Sequence, residues 1–360
     1  MASDRHADLL FTNARVVSFD PASKSASFNH VAVKAGRIVH VGGPGEEPWS
    51  SGPYTRVIDC QGMALAPGFV DAHCHLIGLA SSLRGVDCRP DAVKSVAGIA
   101  GAIRRRAGDT SPGSWIRAFG YDEFYLKEAR HPNRWDLDRA TPDHPVRLEH
   151  RSGHASVLNS LALELVGIGR ETAGPVEGVI ERDDTTGEPT GFLLDMGEYV
   201  GGRIGGQGDE AGFLDGIGRA NELLLSGGIT SVQDASPNND PERWRIVSQL
   251  KESGHLTPRV TMMAGARHLQ AFLSEGLTPG QVRGGIRLGA VKVMFTLSTG
   301  ALQPAQDELQ EMVLDAHRRG FQLAFHAVEE EAVDAAADAL CRAQEALLRP
   351  DARHRIEHCS

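Results

Sequence analysis

The chain has 360 residues, of which 41% are apolar and 23% charged, with a formal net charge of −10. That length suits one large α/β domain beside a minor one, and the ordinary composition excludes a fibrous or low-complexity chain. The acidic residues are scattered, and the one basic run, Arg104-Arg105-Arg106, lies in a helical stretch and reads as a solvated face, so a nucleic-acid footprint is not expected.

Five cysteines, at positions 60, 74, 88, 341 and 359, show no CxxC spacing. A disulfide scaffold is therefore disfavoured and a reducing cytoplasm expected. Residues 1–8 lack the apolar stretch of a secretory signal, and no apolar run reaches membrane-spanning length. The expectation is a soluble cytoplasmic protein that does not contact membrane.

Between residues 8 and 64, short β-type runs alternate with turns: Leu9–Phe11, Ala14–Val17, Val31–Val33, Ile38–Val41 and Arg56–Asp59. Ala35-Gly36-Arg37 marks a hairpin turn, and no helical periodicity appears before Pro67. Residues 1–65 read as a small β-sandwich part. Next comes Ala66-Pro67-Gly68-Phe69-Val70-Asp71-Ala72-His73-Cys74-His75-Leu76. Side chains alternate along a strand, so His73 and His75 share one face while Ala72 and Cys74 point the other way. Two imidazoles at the end of an apolar strand can grip one divalent cation, and Cys74 reads as packing.

Residues 81–210 read as an insertion. It has a helix with apolar residues Val93, Val96, Ile99 and Ile103, strands at 115–119 and 145–148, and a helix from Ser156 to Val166. Residues 168–210 are polar and glycine-rich, with little periodicity. From Ala211 the rhythm becomes regular, with strands at 229–232, 259–263, 290–295, 322–326 and 355–358. Helices at 213–225, 244–253, 308–319 and 329–348 separate them, with Asp307 placed to cap the third and Gly320 to end it. Alternating strands and helices imply parallel βα units. Spacing alone leaves a doubly wound sheet open, but no GxGxxG fingerprint supports a nucleotide site or a dehydrogenase.

In a (β/α) barrel the functional groups sit at the C-terminal ends of the strands. Read so, the first strand carries His73 and His75, the fourth Lys292, the fifth His326 and the sixth His358; His354 and His358 are expected on one face. Lys292 inside an apolar strand needs a partner, a depressed pKa or covalent modification, because an unpaired buried ammonium is costly.

On these residues, and on Gly227-Gly228-Ile229-Thr230-Ser231-Val232, the chain resembles the amidohydrolase superfamily. More narrowly it resembles amidohydrolase family 3, the branch that includes an N-substituted formamide deformylase. That likeness rests on Trp115-Ile116 with Gly120-Tyr121-Asp122, Arg151-Ser152-Gly153-His154-Ala155 with Asn159-Ser160, and Gly187-Glu188-Pro189-Thr190-Gly191. The resemblance implies a TIM-like metal-dependent hydrolase barrel over residues 66–360, with about six of eight strands present. His73 and His75 would bind a buried metal, and His326 and His358 a second. Lys292 matches a lysine that is carboxylated in many relatives and bridges two ions. The cofactor would be a divalent metal, zinc by preference, as one or two ions. The reaction would be hydrolysis of a non-peptide, amide-type C–N bond of a small molecule by a metal-activated hydroxide. Tyr121 and His154 would shape the substrate pocket, and a homo-oligomer is compatible with the family.

Two departures stand out. Relatives commonly follow the fourth-strand lysine with an acidic residue and glycine, whereas here Val293-Met294-Phe295-Thr296 follows. The family's eighth-strand aspartate, which binds metal and acts as general acid/base, has no counterpart before Ser360, so no catalytic acid/base is assigned. A fragment of a longer product is expected, the alternative being an inactive truncated relative that binds metal or a small molecule.

Overall fold

The computed structural model of the chain describes residues 6–19, 28–43, 49, 51–175, 178–204, 210–297 and 299–359. Part of the absent-leader reading (residues 1–5), Ser298 in the run after Lys292, and residues 176, 177 and 205–209 of the polar stretch lie outside the described residues. The chain divides into two compact units, Met1–Phe69 and Val70–Ser360.

In the first unit, Leu9–Thr12, His30–Lys34, Arg37–Gly42 and Arg56–Asp59 form a four-stranded mixed sheet, and Arg15–Val16 pairs with Ala64–Leu65. Ala35 (φ 48°) and Gly36 (φ 70°) make the two-residue hairpin turn between Lys34 and Arg37. Two consecutive left-handed residues give the turn whose twist matches that of the strands it joins.

The second unit is built on six strands: β1 (Phe69–Cys74), β2 (Ile229–Asp234), β3 (Arg259–Gly265), β4 (Ile286–Met294), β5 (Leu323–Ala327) and β6 (Arg355–His358). They lie side by side in sequence order, with Val282–Arg283 as a short hairpin partner of β4. β2 through β6 pair in parallel. A consecutive order is the winding of a (β/α) barrel; a doubly wound sheet would reverse direction partway. Among the described residues the sheet is an open row with β1 and β6 outermost. Phe69 and Val70 on β1 are 55% and 66% exposed, although the strand is apolar.

Helices α1 (Leu76–Ser82), α2 (Glu210–Ser226), α3 (Pro241–Glu252), α4 (Leu269–Ser274), α5 (Gln306–Arg318) and α6 (Glu330–Ala346) accompany these strands. Their buried stripes follow helical spacing, such as Leu309, Val313 and Ala316 on α5 and Ala332, Ala336, Ala339 and Ala343 on α6. These stripes join Val291, Val293, Leu323 and Phe325 of the sheet in one core. Asp240 caps α3 by accepting from the Arg243 amide at 2.8 Å, and Pro241 opens that helix. Asp307 does not cap α5 as expected. That helix starts two residues earlier, placing Asp307 in its first turn, where the carboxylate favours the helix dipole instead. Gly320 (φ 89°) does end it, with the Phe321 amide donating back to the Ala316 carbonyl at 3.1 Å.

Between β1 and β2 lies a second, six-stranded mixed sheet, spatially ordered Val179–Arg182, Pro189–Leu194, Ala155–Leu158, Val146–His150, Ile116–Tyr121 and Val86–Asp87. Two expectations are corrected here. Residues 155–158 form a buried central strand rather than the start of a helix, and the helix runs only from Ser160 to Leu165. Asn159 decides the switch: its Oδ1 accepts from the Ala162 and Val146 amides at 3.0 and 2.9 Å, and its Nδ2 donates to the His144 carbonyl at 2.9 Å. The polar stretch after 168 contains two strands. Gly191 (φ 92°) is required on one of them, since a Cβ there would meet the Leu158 carbonyl oxygen at 2.4 Å.

His354 departs from the face it was expected to share with His358. It precedes β6 and turns into the helix layer, where its Nδ1 accepts from the Leu323 amide at 2.9 Å. Its Nε2 then donates to Nδ1 of the fully buried His317 at 2.8 Å, and His317 Nε2 donates to the Leu347 carbonyl at 2.7 Å. This chain has a place for two neutral rings only. Burial, with His317 and Arg349 nearby, brings the His354 pKa down from 6.5 to about 4. The unfolded chain therefore takes up this proton first. Stability is expected to be full above pH 6.5 and to fall as pH drops towards 4. In pH-dependent urea unfolding, His354→Gln should show a flatter slope across that window.

Candidate metal centre

The sheet's register places the site. Met294, His326 and Glu357 lie in one row across β4, β5 and β6, and Lys292, Ala324 and Arg355 lie in the row below. Side chains two apart on a strand share a face, so Lys292, His326 and Glu357 project together. Alternation would send His358 to the other face, but its φ of 80° turns the backbone back. Its ring then stands 5.1 Å from that of His73 and 4.5 Å from that of His326. A non-glycine residue held there costs about 1–3 kcal/mol.

The imidazoles form a continuous row: His75 and His73 are 5.2 Å apart, His73 reaches His358, His358 reaches His326, and His326 meets His154 at 4.8 Å. Tyr121 stands elsewhere, fully buried in the core of the inserted sheet with its hydroxyl 3.1 Å from Nδ1 of His131. His154 is held by Asp195, whose Oδ1 lies 2.7 Å from its Nδ1 and whose amide donates to its carbonyl at 2.8 Å. Cys74 points into the core with 7% exposure, away from the row of imidazoles, and burial pushes its thiol up to about 12, as suits a packing residue.

Lys292 has its partner: Nζ donates to Oε2 of Glu357, and the lysine is 1% exposed. Burial pushes the Lys292 pKa below the usual lysine value, while Glu357 pulls it back. Oε2 of Glu357 also lies 3.1 Å from Nδ1 of His73, and its Oε1 lies 2.9 Å from the Arg355 guanidinium. Although burial opposes ionisation of Glu357, the bonds from His73 and Lys292 bring its pKa down to about 2. Glu357, Asp195, Ser236 and Arg355 are site residues not anticipated from sequence. Strand alternation within Arg355-Ile356-Glu357-His358 carried the signal for Glu357, because it puts that carboxylate on the face of Lys292.

The donor set fits a divalent cation. His73 and His75 each have Nδ1 engaged, by Glu357 and by Ser236 Oγ at 3.3 Å, leaving Nε2 for an ion. Burial, ahead of neighbouring positive groups, brings the His326 pKa down to about 3 and lowers those of His75 and His358, so all three rings are neutral and able to ligate at pH 7. Removing Glu357 would strand a buried ammonium. Glu357→Gln is expected to cost about 3–5 kcal/mol of stability in urea unfolding, and adding Lys292→Met should recover most of it.

A family model described as the amidohydrolase family matches residues 56–360. The chain is 38% identical over 188 residues to an N-substituted formamide deformylase of Arthrobacter pascens, which covers 52% of this chain and 34% of that protein. It is 28% identical to protein LONG AFTER FAR-RED 3 of Arabidopsis thaliana, across 98% of this chain and 64% of that one. The alignments thus span from about a third to under two thirds of these relatives' lengths. Among solved structures, uncharacterised metal-dependent hydrolases of Pyrococcus horikoshii and Pyrococcus furiosus superpose with TM-scores of 0.67 and 0.64, at 24% and 25% identity. Each superposition covers 93% of this chain, and 68% and 70% of the two hydrolases respectively. Matched over most of its length, the chain belongs to the amidohydrolase family.

Proposed function

We propose that this chain carries the metal-binding strands of a metal-dependent amidohydrolase that cleaves a non-peptide, amide-type C–N bond. The observation that carries the reading is the row of imidazoles at the ends of β1, β5 and β6, set around the buried Lys292–Glu357 pair. His73 and His75 would hold one ion, and His326 with His358 a second. Nitrogen-rich donors favour zinc. Such an ion supplies Lewis acidity towards a carbonyl and activates water.

The chain's own residues then have separate tasks. Glu357 and Ser236 fix the tautomers and orientation of His73 and His75, and His154, steadied by Asp195, faces the substrate side of His326. Carboxylation of Lys292 would replace its bond to Glu357 with a bridging carboxylate and leave Glu357 to His73 and Arg355. We read residues 1–65 as a β-sandwich part, 66–360 as a partial TIM-like barrel and 81–210 as its insertion. The free cysteines suit a reducing cytoplasm. No residue of this chain is assigned to move a proton to the leaving amine.

N-substituted formamides are the first substrates to test, from the name of the 38% identical relative. Purified protein is expected to contain near-stoichiometric transition metal by elemental analysis, and His73→Ala/His75→Ala should lose most of the ions bound at this centre. Zinc, iron, nickel and manganese all at trace level in the unmodified protein would refute the proposal. Bound metal without amine release from any formamide or other amide, in a chain continued through all eight barrel strands, would favour the non-catalytic alternative.

A further inference from the structure

The inserted sheet gathers a second set of ligating groups away from the barrel row. Asp122 and Glu123 follow the strand Ile116–Tyr121, and His150 ends the neighbouring strand Val146–His150. One donor atom from each of Asp122, Glu123 and His150 falls within 4.8 Å of the others. Oε2 of Glu123 and Nε2 of His150 are both shielded from solvent and lie 3.0 Å apart, an ion-pair distance at which neither atom is well aligned for a hydrogen bond. A pair held this close in poor alignment leaves an ion as a better shared partner. Two donors about 2.0–2.1 Å from a shared tetrahedral ion would stand about 3.3 Å apart, close to this separation.

We propose that Asp122, Glu123 and His150 bind a divalent transition-metal ion, zinc or a similar borderline cation, at a site separate from the barrel histidines. Two carboxylates balance the charge of the ion, and a mixed nitrogen and oxygen set suits first-row metals better than magnesium or calcium. Asp122 is 3% exposed, and its oxygens accept from the Phe124 amide and from Arg151, each at 3.1 Å. Each carboxylate oxygen has a further lone pair for an ion. His131 flanks the site, with Nδ1 3.6 Å from the same Glu123 oxygen. An ion here would lock the Glu123–Tyr125 turn to the end of the neighbouring strand, stiffening the insertion rather than serving the reaction.

The test uses the whole chain, stripped by chelator and titrated with Co(II), whose visible absorption reports its ligands, and then with Zn(II). The His73→Ala/His75→Ala variant lowers the barrel contribution, and Glu123→Gln is then added to it. The expected result is that Glu123→Gln removes one ion equivalent and its absorption band, and that His150→Gln does the same. Zn(II) should also raise the melting temperature of the His73→Ala/His75→Ala chain, and that rise should vanish with Glu123→Gln. Unchanged stoichiometry and affinity in both the Glu123 and His150 variants, with folding verified by circular dichroism, would show an ordinary histidine–carboxylate pair and overturn the proposal. That result would leave the barrel centre unaffected.

Discussion

One constraint governs the site: an ammonium buried near the C-terminal end of β4 must be answered. A charge placed in a low-dielectric interior without a partner costs several kcal/mol, more than a domain can spare. Glu357 answers it from two strands away, and this fixes much of what surrounds it. The carboxylate that neutralises Lys292 also sets the Nδ1 side of His73 and ties down Arg355, which in turn reaches Gln233 on β2 at 3.1 Å. A single carboxylate thereby couples β1, β4 and β6, and through Arg355 also β2. The orientation of the His73 ring thus follows from the way the Lys292 charge is neutralised.

The barrel strands were legible because strand alternation and helical spacing are local signals, and β2 to β6 together with the four long helices after residue 210 emerged within a few residues of their predicted bounds. The insertion was less legible. Its central strand Ala155–Leu158 is buried at every position and has no alternation to read, so it merges with the helix that Asn159 starts. Two of the motifs that pointed to the family have structural work in the insertion. Asn159 ties a helix start to a neighbouring strand, and Gly191 permits a close backbone crossing.

His73, His75, His326 and Lys292 could be placed from strand ends alone. His358 could be named but not oriented, since its left-handed backbone is invisible in the sequence. Glu357 was within reach, because Lys292 demanded a partner and only alternation was needed to find one. Asp195 was not: it meets His154 from 41 residues away, across strands whose pairing no local pattern specifies.

The His354–His317 relay has a consequence of another kind. It runs from the Leu323 amide through two rings to the Leu347 carbonyl, so β5, α5 and the end of α6 share one directional chain of donors and acceptors. Neither ring can change its tautomer alone without leaving a donor facing a donor. The strand and the two helices therefore loosen together, and the opening of one is felt at the far end of the other.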